Sequence, residues 1–333
     1  MNRPTRLLFL VLLLSAVCGA TSVSAQDKVR MGLSSVSGLH SAVWVAETKG
    51  LFRKHSIDAE VIVTGQGGVA GISALLANDI QMVNSAGDVL VASALRGGDT
   101  VMVASVVNKG LQRLVTKPEI KTPAELKGKR IGVTRIGAVS HSVLLMMLQR
   151  WKMTVNDVQV LQLGSSPNML ASLDKGGIEG AVLTIPSMFV AEDRGYRVLL
   201  DMADTDIYYL HTMVATTRQY VKNNRDKVLR FLRGYVEGIA FVKQNKKESL
   251  DIVKKKLRIG PEQERNLERS MDLLTAKYYE TIPYPSLRGV ETVLGFVEKD
   301  NPKAKTADAK SFVDDSLLRE IEQSGFVKKL YDR

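Results

Sequence analysis

Ile120-Lys121-Thr122-Pro123-Ala124-Glu125-Leu126-Lys127-Gly128-Lys129-Arg130-Ile131-Gly132-Val133 is the stretch whose reading decides the fold. Thr122 is a helix cap, and Pro123 fits the first helical position, where a missing N–H is harmless. Glu125 stands three residues after the cap and reaches back to its N–H. Gly128 supplies a left-handed stop, and Arg130–Thr134 follows as a strand. A capped turn running straight into a short apolar strand is one unit of an alternating α/β chain.

The same alternation extends outward in both directions. Upstream, strand patterns at Val29–Leu33, Ala59–Thr64, Ile80–Val83 and Val101–Val107 alternate with helix patterns at Ser41–Phe52, broken at Gly50, and at Val69–Ala77 and Val89–Leu95. Downstream come helix Val143–Trp151, strand Val158–Leu163, helix Met169–Lys175, strand Gly180–Thr184, helix Ser187–Asp193 and strand Arg197–Leu200. Such alternation predicts parallel sheets with helical crossovers. From Arg218 onward the chain turns mostly helical. Val228, Phe231, Leu232, Tyr235, Ile239 and Val242 fall on one helical face and read as core.

The N-terminus reads as an export signal. Arg3 and Arg6 precede an apolar run from Leu7 to Val17, and small residues follow up to Val23-Ser24-Ala25. The run is shorter than the ~20 residues that usually span a bilayer. Cleavage after Ala25 is the expectation. Lipidation at Cys18 ranks second, because Val17 is large for the position before a lipidated cysteine. Cys18 is the single cysteine of the chain, so the mature protein would carry no thiol. The formal charge of +11 falls to +9 when Arg3 and Arg6 are removed, since residues 1–25 hold no acid. Lys and Arg are dispersed rather than clustered, which argues against a nucleic-acid surface.

Four segments together resemble a known family: Trp44-Val45-Ala46-Glu47-Thr48-Lys49-Gly50-Leu51-Phe52, Asp79-Ile80-Gln81-Met82, the stretch quoted first, and Gly177-Ile178-Glu179-Gly180-Ala181-Val182. The chain resembles an ABC-transporter solute-binding protein of the type II periplasmic fold, in the sulfonate/nitrate or NMT1/THI5-like group. The resemblance covers roughly residues 28–245. His55, Glu179 and Asn78 depart from the residues usual in that group, so a ligand is not carried over from its better-known members. The resemblance implies two α/β lobes. Residues 27–108 with 213–333 form the first, 109–212 the second, and two crossing strands near Val106–Asn108 and Thr212–Ala215 join them. Two crossings resist twisting but permit hinge bending.

Ligands of open α/β sheets sit beyond the carboxyl ends of the strands. Four loops rich in Gly and Ser occupy such places: 34–38, 65–68, 84–88 and 135–141. The candidate ligand contacts are Ser35, Ser37, Gly38, His40, Gln66, Gly67, Ser85, Ala86, Arg135, Gly137, Ser140 and His141, with Pro186 after a strand of the second lobe. Exposed N–H groups, hydroxyls and close backbone approach at glycine suit a polar or anionic group. Any one loop also reads as an ordinary capped turn; four converging loops read as a site. Arg135 either pairs with an anionic ligand or points to solvent. Pro186 either shapes the pocket wall or simply starts a helix. Gly65-Gln66-Gly67-Gly68-Val69-Ala70 fits a loose dinucleotide pattern, but it follows the second strand of an exported chain.

The four histidines show no metal spacing, and neither metal nor cofactor is expected. No Phe, Tyr or Trp occurs between Phe52 and Trp151. A stacking ring would have to come from Trp44, Phe189, Tyr208 or Tyr209, so the expected ligand is small, polar or anionic, and mainly non-aromatic. The leading reading is a monomeric periplasmic receptor that hands its ligand to an ABC permease. The alternatives are a periplasmic sensory component and an enzyme related to thiamine-pyrimidine synthesis. A cysteine-rich motif goes with the fungal enzymes of that kind, and the mature chain lacks cysteine.

Overall fold

The computed structural model describes residues 26–64, 68–298 and 301–332. The expected signal segment 1–25, with Cys18, lies outside them, as do Gln66 and Gly67.

The chain builds two five-stranded sheets. The first contains β1 (Asp27–Leu33), β2 (Ile57–Val63), β3 (Met82–Ser85), β4 (Thr100–Lys109) and β10 (Tyr208–Thr217), in the order β2-β1-β3-β10-β4. The second contains β5 (Gln112–Thr116), β6 (Arg130–Val133), β7 (Gln159–Gln162), β8 (Gly180–Thr184) and β9 (Arg197–Asp201), in the order β7-β6-β8-β5-β9. Between the strands of the first sheet lie α1 (Ser41–Thr48), α2 (Leu51–Lys54), α3 (Val69–Leu76) and α4 (Gly87–Leu95). Between those of the second lie α5 (Val139–Arg150), α6 (Ser166–Asp174) and α7 (Ser187–Asp193).

The sheets are mixed, which corrects the expectation of purely parallel ones. β1 pairs with β2 and β3 in parallel, but β10 runs antiparallel between β3 and β4. Likewise β6 is parallel to β7 and β8, while β5 is antiparallel to both β8 and β9. The reason is topological. β5 and β10 are the strands by which the chain enters the second sheet and returns to the first, so neither follows a helical crossover. Only Gly110 and Leu111 separate β4 from β5, and residues 202–207 separate β9 from β10. The ladder between β4 and β10 slips register between Tyr208 and Thr212 and again further on.

The capped segment at Thr122 forms as read. Glu125 accepts the Thr122 N–H at 3.0 Å, and Gly128 is left-handed at φ +71°. The element is a short 3-10 turn (Pro123–Leu126) rather than an α-helix. After β10 the chain is helical: α8 (Arg218–Asn223), α9 (Arg225–Gln244), α10 (Lys246–Leu257), α11 (Pro261–Leu273), α12 (Leu287–Val297), α13 (Ser316–Gln323) and α14 (Phe326–Tyr331). α9 buries the face marked by Val228, Phe231, Leu232, Tyr235, Ile239 and Val242. It packs on α1 and α2, with Phe231 stacked on Phe52 at 4.8 Å. No helix among the described residues is long and apolar enough to cross a membrane.

Candidate functional site

The loop after β1 opens a 3-10 turn (Gly38–His40) that continues into α1. Ser37 caps it, its Oγ accepting the Leu39 N–H at 3.3 Å, and Gly38 is buried close to Leu267 of α11. His40 is 1% exposed, set edge-on to Trp44, with Nε2 3.3 Å from Ser35 Oγ. Burial pushes its pKa down to about 4, so the ring is neutral at pH 7. Its Nδ1 finds no hydrogen-bond partner among the described residues.

The end of β3 is more unusual. Met82 packs into the core shared with α1, and Val83 into the core shared with α3 and α4. Side chains alternate along a strand, so Asn84 follows Met82 to the α1 side and Ser85 follows Val83 to the α3 side. Both are fully buried, and Asn84 Nδ2, Asn84 Oδ1 and Ser85 Oγ all lack partners among the described residues. Gly68, left-handed at φ +76°, abuts Ser85; a Cβ there would come within 2.2 Å of the hydroxyl oxygen. Ala86 is half-buried and leads into α4. Asp88, in the first turn of α4, accepts the Val89 N–H at 2.8 Å and bonds Tyr209, and burial raises its pKa. Buried polar groups are ordinarily paired, so this cluster is the strongest mark of a ligand site in the first lobe.

In the second lobe Ser140 is already engaged. Its Oγ accepts the Thr134 N–H at 2.9 Å and lies 2.7 Å from the Thr134 hydroxyl, closing the turn from β6 into α5. Gly137 N–H donates to His141 Nδ1 at 3.2 Å. Arg135 is exposed. Pro186 is also exposed and stands at the start of α7. A groove of about 610 Å³ brings Gly137 and His141 opposite Asp88 of α4, with Tyr209 of β10 beside them. A larger hollow, about 1130 Å³, lies elsewhere, at the amino edge of the first sheet among Lys28, Arg30, Asp79 and Gln81. Its walls carry none of the loop residues, so size does not mark the site here.

The fold is thus two mixed α/β lobes, joined through β4 and β10, with Asp88 of one lobe and Gly137 and His141 of the other at one groove whose walls include no residue of 34–38. Residues 38–249, more than half of the chain, match the model of the family described as NMT1/THI5 like. The chain belongs to that family. Among relatives, a Brucella abortus protein named only as a candidate binding protein is 27% identical over 243 residues, 72% of this chain and 75% of its own. Among solved structures, the periplasmic aliphatic sulphonate binding protein SsuA of Escherichia coli shares the fold with a TM-score of 0.72 and 18% identity, over 86% of this chain and 92% of SsuA. A DszB mutant in complex with biphenyl-2-sulfinic acid shares it at 0.66 and 13% identity, over 90% of this chain and 99% of DszB. Proteins of this fold therefore include a sulphonate binding protein and one seen with a bound sulfinic acid.

In this member of the NMT1/THI5-like family the lobes also touch away from the loops. Arg269 of α11 donates to Glu192 at 2.8 Å and to both oxygens of Asp193 at 3.0 Å, at the end of α7. Its guanidinium lies 4.4 Å from the Phe189 ring centroid, and Arg113 of β5 lies near the same ring at 5.5 Å. Arg113 in turn pairs with Glu192 and Asp201, each at 2.7 Å. At the crossing, Gln112 Nε2 lies 3.2 Å from His211 Nε2, and burial lowers the His211 pKa to about 4. Sequence reading did not single out Asn84, Asp88, Gln112 or Arg269 as site residues. For Asn84 a signal existed: an amide directly ending the apolar strand Ile80–Val83.

Proposed function

We propose that this chain is the extracytoplasmic solute-binding receptor of an ABC importer, closing its two lobes on a small polar or anionic organic ligand. The observation that supports the reading is the set of buried polar atoms on His40, Asn84 and Ser85, at the carboxyl edge of the first sheet, that have no partner among the described residues. A protein that never covers these atoms with a ligand would leave them desolvated without return. Their position at the carboxyl ends of β1 and β3 is where open α/β sheets hold ligands. Neighbours named as periplasmic binding proteins support the same role.

Export with removal of residues 1–25 fits that role and rests on the N-terminal pattern. The catalytic alternative lacks a nucleophilic cysteine in the mature chain, whose one cysteine precedes the expected cleavage site. Monomeric action with a permease partner completes the proposal. Native mass spectrometry of the exported protein tests it: a stoichiometric small molecule, released on denaturation, is expected. Conversion of that molecule to a product on incubation would instead establish an enzyme.

A further inference from the structure

The groove between the lobes has a chemistry of its own. Three helices wall it: α4 and α12 of the first lobe and α5 of the second. Its volume of about 610 Å³ lies in the ordinary range for small-molecule sites. Of the acidic and basic side chains among the described residues, His141 aside, only Asp88 and Arg96 line it. They stand at opposite ends of α4, about 12 Å apart along the helix axis at 1.5 Å per residue. Ala92 lies midway between them on the same face.

Neither charge is answered within the described chain. Asp88 accepts the Val89 N–H at 2.8 Å and the Tyr209 hydroxyl, and no cation offsets the burial that raises its pKa. Tyr209 in turn accepts a hydrogen bond from Ser142 of α5. The carboxylate is thus held in place, while its two oxygens retain capacity for a further donor. Arg96 is exposed and forms no ion pair among the described residues. An acid at the start of a helix and a base at its end also suit the helix dipole. Helix stability alone gives no reason for the apolar trough between them. Val293 is buried and Ala92, Leu145 and Phe296 are half-buried along it.

We infer, resting on the receptor reading above, that this groove takes an elongated ω-amino acid, with its cationic nitrogen at Asp88, its acid at Arg96 and its aliphatic body along Ala92, Leu145 and Phe296. The assignment deepens that reading by giving the ligand a second charge. An ammonium group donates to the Asp88 carboxylate where water is scarce, so this contact carries most of the selectivity. Arg96 is screened by solvent and contributes less. It sets the length, because the acid of a short chain held at Asp88 does not reach it, and it repels a second cation at that end. Its long side chain leaves a span that an octanoate-length chain bridges. Leu145 belongs to the second lobe and Phe296 to the first, so the body touches both and favours their closed arrangement.

Calorimetry of the exported protein tests this with probes of one length, 8-aminooctanoate, octylamine, octanoate and 1,8-diaminooctane, and with 4-aminobutyrate as the short member. 8-Aminooctanoate is expected to bind tightest. Asp88→Asn keeps the shape of the side chain and should weaken that binding by about tenfold or more. Arg96→Gln should weaken it by about twofold to fivefold, level with octylamine. Ala92→Leu narrows the trough without touching either charge and should weaken every long probe. Circular dichroism melts of the three variants separate lost binding from lost folding; if Asp88→Asn does not fold, Ala92→Leu and the ranking of probes on the parent decide. Tightest binding by octanoate, or 8-aminooctanoate affinity unchanged in Asp88→Asn, overturns the assignment and leaves the receptor reading standing. Binding of none of the probes also overturns it, and the receptor reading falls with it only if native mass spectrometry finds no small molecule in the exported protein.

Discussion

Arg269, with Arg265 standing 3.7 Å from Asp193 beside it, grips the second lobe from α11, and removal of Arg269 gives a measurable change in lobe closure. α11 packs on the 3-10 turn of the first ligand loop, where Leu267 meets Gly38, so the helix moves with the first lobe. Its partners Glu192, Asp193 and Phe189 move with the second. The carboxylates are 30% and 38% exposed and the arginine 27%, so solvent screens the ion pairs. Two such pairs contribute about 0.2–1 kcal/mol each. The cation–ring contact adds about 0.5–1 kcal/mol. Arg269→Ala therefore shifts the balance between closed and open by about 2 kcal/mol, close to 30-fold. The shift falls on closure, because neither lobe's own core contains the guanidinium. Small-angle scattering of the unliganded variant should show a larger radius of gyration, and calorimetry a ligand affinity weakened by up to about 30-fold. Arg269→Lys keeps the charge but not the planar fork, and should fall between. An unchanged radius together with affinity within about twofold of the parent would refute the latch.

Three further outcomes are expected. Buried His40 and half-buried His211 have pKa values lowered to about 4 by desolvation, below the ordinary 6.5; as pH falls from 6.5 toward 4 the unfolded chain takes up protons that the folded one refuses. Stability present above pH 6.5 is lost across that window, by at most roughly 3 kcal/mol per histidine, and His40→Gln with His211→Gln should flatten the dependence of denaturant midpoint on pH. Gly87→Ala places a methyl 2.1 Å from Leu210 Cβ, so the start of α4 must part from β10; a loss of about 1–3 kcal/mol in chemical denaturation is expected, and a neutral result would count against that packing. Finally, sequencing of the exported protein should begin at Gln26, whereas a lipidated start at Cys18 would make the receptor an anchored one.

Much of the fold was legible in local chemistry. Thr122, Pro123, Glu125 and Gly128 each carry their role in side-chain type, and the turn they build is the one observed. Strand direction was not legible. Gln112-Arg113-Leu114-Val115-Thr116 is a short run without turn residues between it and β4 except Gly110, and its antiparallel course between β8 and β9 depends on strands formed far later in the chain. The site was legible as loops, less so as atoms. Ser37 and Ser140 were chosen for their hydroxyls, yet both hydroxyls cap their own turns. Asn84 became conspicuous only when burial showed that nothing in the described chain meets its amide. A sequence tells which side chains can hydrogen bond; the packed structure tells which have been left to do so.

The antiparallel insertion of β10 between β3 and β4 bears on the order in which the lobes can assemble. The second sheet is built wholly from residues 112–201, a continuous stretch. The first cannot close until Val214 lies beside Asn84 and Ala104, which requires the whole second sheet to have been threaded through or set aside. Long loop closures slow folding. The second lobe is thus expected to fold first, with β1, β3 and β4 waiting as an unfinished sheet with an open seam. In pulse-labelled hydrogen exchange, amides of β6 and β8 would become protected before those of β3 and β4. The ligand loops on β1 and β3 are then the last to take shape, so a chain halted in mid-assembly would be compact in its second lobe and still unable to bind.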